Sequence, residues 1–178
     1  MKQEEAFRYI GLIPNFDELV NKILRFSEAD WSDYKGRKNT GRVASYHIDA
    51  IPLKYSTNLT TYTEDKKSKY YEQFESHILD LCEMVSNSVG HVSEKRSILT
   101  RMKPGQVIKP HRDSGLILTS THRIHLPITT NNLCTFTVGN ISMNLKPGEI
   151  WIIDNTNRIH SVENHGPTDR IHLLVDAG

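Results

Sequence analysis

The sequence has no long apolar run, no block of like charge and no internal repeat, and only two cysteines, Cys82 and Cys134, far apart and in no CxxC pair. Each absence excludes something. No stretch approaches the roughly 20 apolar residues that cross a bilayer as a helix, and the opening MKQEEAFRYIGLIPNF carries no apolar signal core. A cytoplasmic protein with no membrane partner is therefore expected. Two isolated cysteines argue against a disulfide framework or a structural zinc knot and fit reduced thiols. The glycosylation-type tripeptides at Asn58 and Asn140 then read as chance. With 22 basic against 21 acidic residues the net charge is +1, so no nucleic-acid partner is expected from the bulk electrostatics.

What is present is an ordinary globular composition, 37% hydrophobic and 24% charged, in 178 residues, about the size of one domain with one core. In NFDELVNKILRF, residues 15–26, Phe16, Leu19, Ile23 and Phe26 share a helical face, with Asn15 and Glu18 in capping-box positions. WSDYKGRKNTG (31–41) is polar and turn-rich, 42–51 reads as a strand ending at Pro52, and 58–65 as a loop. The strongest helical periodicity covers 66–88, where Tyr71, Phe74, Ile78, Leu81 and Val85 recur at steps of three and four before Gly90.

After Gly90 the pattern changes to short strands between turns. Strands are expected over 97–102, 107–108, 123–129, 135–138, 141–145, 149–153, 160–163 and 170–176. Gly139-Asn140 has the form of a two-residue hairpin loop, and Lys103-Pro104-Gly105 and Lys146-Pro147-Gly148 put Pro-Gly at turn centres. The expected fold class is mainly β: an eight-stranded jelly roll, that is, a cupin-like double-stranded β-helix, with flanking N-terminal α-helices. It forms a single domain over 1–178, in which 1–95 supports the barrel and its substrate side and 96–178 is the core with the site.

The chemistry gathers late in the chain. His111 and Asp113 are separated by one residue, so on an extended segment they leave the same face. Alone the pair is weak, because the chain has nine histidines and a surface reading is as good. His160, at the start of another expected strand, completes two imidazoles and a carboxylate, the ligand set of non-haem Fe(II) oxygenases. Alternation on the last strand puts Arg170 and His172 on one face, and Arg123 and His125 share a face in RIHLP. An arginine inside a barrel needs an anion. Taken singly, each reads at least as well as a rim ion pair with Asp or Glu; beside the metal set, the two together suggest a ligand with carboxylates.

The span from Thr100 to Asp176 resembles the aspartyl/asparaginyl β-hydroxylase family of Fe(II)- and 2-oxoglutarate-dependent dioxygenases, through PHRD, RIHLP, PGEIWIIDN, HSVEN and RIHLLVD in that order. The resemblance implies that His111, Asp113 and His160 bind Fe(II) and do the catalytic work. It implies that Arg170 holds the distal carboxylate of 2-oxoglutarate with help from Thr100, and that Arg123 and His125 lie near its metal-chelating carboxylate. The implied reaction consumes O2 and 2-oxoglutarate, gives succinate and CO2, and hydroxylates an amino acid, either free, such as proline, or an Asp or Asn side chain in a peptide. A non-catalytic metal-binding jelly-roll module is the alternative. Asn155 and Asn164 are candidates to orient ligands, Arg112 and Arg158 to face the site mouth, and the N-terminal part, especially 31–55, to supply specificity.

Overall fold

The structure is a computed structural model, and it describes residues 6–32, 48–56 and 65–178. In chain order, strand β1 (Phe7–Leu12) is followed by helices α1 (Phe16–Ile23) and α2 (Glu28–Ser32), strands β2 (Asp49–Ser56) and β3 (Asp65–Lys67), and the long helix α3 (Glu75–Val89). Next come β4 (Glu94–Met102), β5 (Val107–His111), a short helix α4 (Leu116–Ser120) and β6 (His122–Thr129). The chain closes with β7 (Cys134–Val138), β8 (Ile141–Met143), β9 (Glu149–Ile153), β10 (His160–Asn164) and β11 (Arg170–Ala177).

These strands form two antiparallel sheets, one in the order β1-β9-β6-β11-β4-β2-β3 and the other β5-β10-β7-β8. The eight strands β4 to β11 are the eight read from the sequence, dealt four to each sheet, which makes the double-stranded β-helix. Strands β1, β2 and β3 widen the larger sheet at its two edges. Alternation along β11 decides which side chains face which layer. Ile171, Leu173, Val175 and Ala177 join Leu99, Ile124 and Leu126 of the neighbouring strands in a core closed by Leu19 and Ile23 of α1 and Ile78, Leu81 and Val85 of α3. Each such aliphatic side chain contributes about 1.5–3 kcal/mol on burial. The opposite face of the same strands looks into the barrel, where Met102, Phe136, Val138, Trp151, Ile153 and Val162 pack between the sheets.

The turns behave as their residues dictate. Gly105 and Gly148 both have φ +80°, and Gln106 and Glu149 donate back to Lys103 and Lys146, so each Pro-Gly sits in a type II turn that only a residue tolerating positive φ completes. Val138 pairs with Ile141 across the two-residue Gly139-Asn140 loop.

Several expectations need correcting. Helix α3 begins at Glu75, because Lys66 and Lys67 pair with Tyr55 and Lys54 in a strand and 71–73 form a single 3-10 turn. Asn15 makes no side-chain cap; it adopts φ 53° instead, a conformation its short polar side chain tolerates. Strand β1, which pairs with β9, and helix α4 were not expected from the sequence pattern. The 42–51 strand is observed as β2 from Asp49 onward, running through Pro52; 42–47, most of the 31–41 turn region and the 58–64 loop lie outside the described residues. Among the described residues, no helix is long and apolar enough to cross a membrane.

Candidate active site

Three residues from two strand ends and the loop between them meet at one mouth of the barrel. His111 closes β5, Asp113 follows it, and His160 opens the neighbouring β10, where His160 and His111 are register partners. Their ligand atoms all lie within 4.8 Å of one another. Asp113 Oδ1 is 3.5 Å from His111 Nε2 and 3.9 Å from His160 Nε2. Each imidazole is turned by its own backbone: His111 Nδ1 donates to the Lys109 carbonyl at 2.8 Å, and His160 Nδ1 faces the Arg158 carbonyl at 3.4 Å. That turns both Nε2 atoms toward the Asp113 carboxylate, the orientation in which histidine ligands are usually held.

Electrostatics favours the deprotonated form of two of the three, His160 and Asp113. Burial pushes His160 down to about 4. Burial also acts to raise Asp113, but the Arg123 guanidinium and the two imidazoles outweigh it and hold the carboxyl well below the usual range. For His111 the balance differs: burial lowers it, yet the Asp113 carboxylate and the Lys109 carbonyl leave it above its ordinary value.

The second oxygen of Asp113 is also held. Arg123 Nη1 donates to Oδ2, and Asn155 Nδ2 lies 3.3 Å from the same atom. The Asn155 carbonyl in turn accepts from the Asp113 backbone N–H at 2.9 Å. Arg123 forks onto Asp176, Nε to Oδ1 at 2.8 Å and Nη2 to Oδ2 at 3.2 Å, and Arg96 Nε donates to Oδ2 of Asp176 at 2.7 Å. Next to this chain, His125 Nε2 is 3.5 Å from Asn155 Nδ2, while among the described residues its buried Nδ1 has no partner, and neither has Asn155 Oδ1. Burial, then the nearby arginines, drive His125 well below its ordinary value, so it is neutral.

Deeper in the barrel, Arg170 is 5% exposed. Its Nη2 donates to His172 Nδ1 at 3.1 Å, its Nη1 reaches Met102 Sδ at 3.7 Å, and its Cζ lies 5.8 Å from the Phe136 ring centroid. No carboxylate of the described residues pairs with it, and burial draws it down to about 10. It lines a small cleft with Phe136, His172, Cys134, Leu145 and Thr135. Phe136 spans the two ends, stacking on His160 at 6.1 Å on one side and standing edge-on to His125 at 5.2 Å.

Residues 38–178 match the family model for aspartyl/asparaginyl beta-hydroxylase. The chain belongs to that family. As a beta-hydroxylase family member it is an enzyme of the dioxygenase, hydroxylating kind. Its fold is shared by AviO1 from Streptomyces viridochromogenes, with TM-score 0.64 at 12% identity over 97% of this chain and 89% of that one. An oxidoreductase of the 2OG-Fe(II) oxygenase family from Burkholderia pseudomallei matches at TM-score 0.59 and 11% identity, covering 74% and 68%. The viral collagen prolyl hydroxylase of Paramecium bursaria Chlorella virus-1 matches at TM-score 0.55 and 9% identity, covering 97% and 95%.

In this beta-hydroxylase family member the residues singled out from sequence do not all stand alike. His111, Asp113 and His160 come together. Arg123 and His125 lie beside them, but Arg123 is engaged by two carboxylates of the chain itself, whereas Arg170 is not. Thr100, buried opposite His172 in the register, has its hydroxyl 3.5 Å from the His172 carbonyl. Asn155 touches Asp113, while Asn164 is spent elsewhere, on the Met102 and Thr168 carbonyls and Cys134. Arg158 pairs with Asp154 at 3.1 Å and Arg112 is exposed. Asp176 was missed. The signal was available, since RIHLLVD places it on the same alternate face as Arg170 and His172.

Proposed function

We propose that the chain is an Fe(II)- and 2-oxoglutarate-dependent dioxygenase that hydroxylates an amino-acid substrate, either free or as an Asp or Asn side chain in a peptide, with succinate and CO2 as coproducts. The observation that carries the reading is the pairing of a His-Asp-His cluster with a buried, carboxylate-free Arg170 in the same barrel. A metal fits the first: two imidazole nitrogens and one carboxylate oxygen converge. A dicarboxylate fits the second. A buried guanidinium without an anion is costly, and the orphaned Nδ1 of His125 is a further donor in want of an acceptor.

In this reading His111, Asp113 and His160 hold the iron, which when bound supplies the activation of O2 by oxidative decarboxylation of 2-oxoglutarate. The remaining work belongs to the side chains. Arg170 takes the distal carboxylate in its fork, with Thr100 and His172 on the same inner face beside it. His125 Nδ1–H is the donor left for the chelating end, with Arg123 beside it holding Asp113 and Asp176. Phe136, between His160 and Arg170, lines the path of the methylene chain and keeps water from it. Family membership supports an amino-acid substrate, and assays of free amino acids and Asp- or Asn-containing peptides for substrate-dependent succinate will separate the two forms.

The test is anaerobic titration of the Fe(II)-loaded protein with 2-oxoglutarate, following the weak visible charge-transfer band of the chelate. The band is expected in the unaltered protein, absent in His160→Ala and weakened in Arg170→Ala. No band with iron demonstrably bound overturns the reading.

A further inference from the structure

Arg96, Asp176 and Arg123 stand abreast on three adjacent strands. In the β4–β11 ladder Asp176 is the register partner of Arg96, and in the β11–β6 ladder it is the partner of Arg123. Direct cross-strand neighbours on one face touch, so the three side chains form a row of alternating charge across the inner face of the larger sheet. The row ends on Asp113. Asp176 is 1% exposed and accepts from both arginines, so it is the buried centre of the row.

We infer that Asp176, with Arg96 behind it, is a positioning residue for the metal centre, fixing Arg123 so that Asp113 presents Oδ1 alone to an ion. The inference rests on the metal reading of His111, Asp113 and His160 given above. Its geometric basis is the fork. Two hydrogen bonds from Arg123 to the two oxygens of Asp176 fix the plane of the guanidinium, and a fixed plane directs Nη1 at Asp113 Oδ2. With Oδ2 taken by Arg123 and Asn155, only Oδ1 is left facing the two Nε2 atoms. Without Asp176, Arg96 and Arg123 are left facing each other with no anion between them. Arg123 is then free to turn, and Asp113 to close on a cation with both oxygens or to turn away. Outer partners that orient a metal ligand typically govern metal affinity by 10–100-fold.

The experiment is titration with Co(II) alone at neutral pH, reading the visible ligand-field spectrum and the dissociation constant, with the thermal midpoint of each variant measured alongside. Asp176→Asn is expected to weaken Co(II) binding about tenfold and to alter the spectrum, and Arg96→Gln to weaken it about threefold, Asp176 lying two hydrogen-bond steps from the ligand Asp113 and Arg96 three. Leu81→Ala, in the core outside the barrel, lowers the midpoint and changes neither affinity nor spectrum, which separates positioning from general loosening. Unchanged Co(II) affinity and spectrum in Asp176→Asn overturn the inference and leave the metal reading standing. Failure of the unaltered chain to bind Co(II) overturns both. Should Asp176→Asn not fold, Arg96→Gln decides, and an unchanged affinity there overturns the inference.

Discussion

The two ends of the barrel treat the same residue type in opposite ways. At the metal end Arg123 is fully answered, with one carboxylate at each side of its fork and burial outweighed, so that it stays charged beyond its ordinary range. At the far end Arg170 is equally enclosed but, among the described residues, meets a neutral imidazole, a thioether and the Phe136 ring and no carboxylate. Its descent from 12.5 to about 10 corresponds to about 3 kcal/mol spent on keeping the charge buried. A paired arginine contributes to the architecture of a site; an unpaired one costs stability and is retained only if something else supplies the anion. In the proposed reading, the contrast marks the end that takes the carboxylate ligand.

The same substitution should therefore act with opposite sign at the two ends. Arg123→Met leaves Asp176 with Arg96 as its one arginine and Asp113 with no guanidinium, and a loss of about 3–5 kcal/mol is expected in denaturant unfolding, the usual result of removing one partner of a buried ion network. Arg170→Met removes a charge that nothing answers, and the protein should become more stable by about 1–3 kcal/mol. It should at the same time lose the rise in thermal midpoint that 2-oxoglutarate gives the metal-loaded protein. If both variants lose stability, the two ends are alike and the comparison fails.

Acid should weaken both ends. His125 at the metal end and His172 at the far end are both lowered well below 6.5, by burial first and then by neighbouring arginines, and His160 is pushed to about 4. A base lowered in the folded state takes up its proton in the unfolded state first, so the stability it contributes is present above 6.5 and is lost as pH falls. Each such group costs about 1.4 kcal/mol per pH unit once the unfolded chain is protonated. His111 opposes this only above 6.5, because its raised value means stability that is full below that pH and fades as pH rises. Unfolding of the metal-free protein is expected to become steeply easier from pH 6.5 toward about 5. His172→Gln should remove one proton's worth of that slope, and an unchanged slope would show that His172 is not held neutral.

How much of this was legible beforehand depended on how local the signal was. The jelly roll was readable because period-two alternation and Pro-Gly turns are local features, and the eight expected strands became β4 to β11. Strand β1 was not readable: FRYIGL is short, its pattern is broken by the bulge between Tyr9 and Gly11, and it is a strand because β9, far along the chain, pairs with it. The helical period extended back to Lys66 in the sequence, yet pairing with β2 took Lys66 and Lys67 into a strand. At the site, His111, Asp113 and His160 could be proposed from spacing and residue type. The different fates of Arg123 and Arg170 could not, because what distinguishes them is Asp176, 53 residues from Arg123 in the chain and abreast of it only in the sheet.

The smallest expected effect sharpens the far end. The Thr100 hydroxyl, directly across from His172, makes a single long contact of 3.5 Å with the His172 carbonyl. A contact that long contributes little, so Thr100→Val should change stability by less than about 1 kcal/mol. If the hydroxyl instead serves a carboxylate held by Arg170, its loss leaves one acceptor of a bound anion short of a donor, and 2-oxoglutarate affinity should fall by about five- to tenfold, or roughly 1–1.4 kcal/mol. A stability change with no affinity change would make Thr100 a strand residue of the barrel wall. An affinity change without a stability change would place it with Arg170, and would show that the far end prepares its hydrogen bonds, like its charge, for a partner the chain does not itself provide.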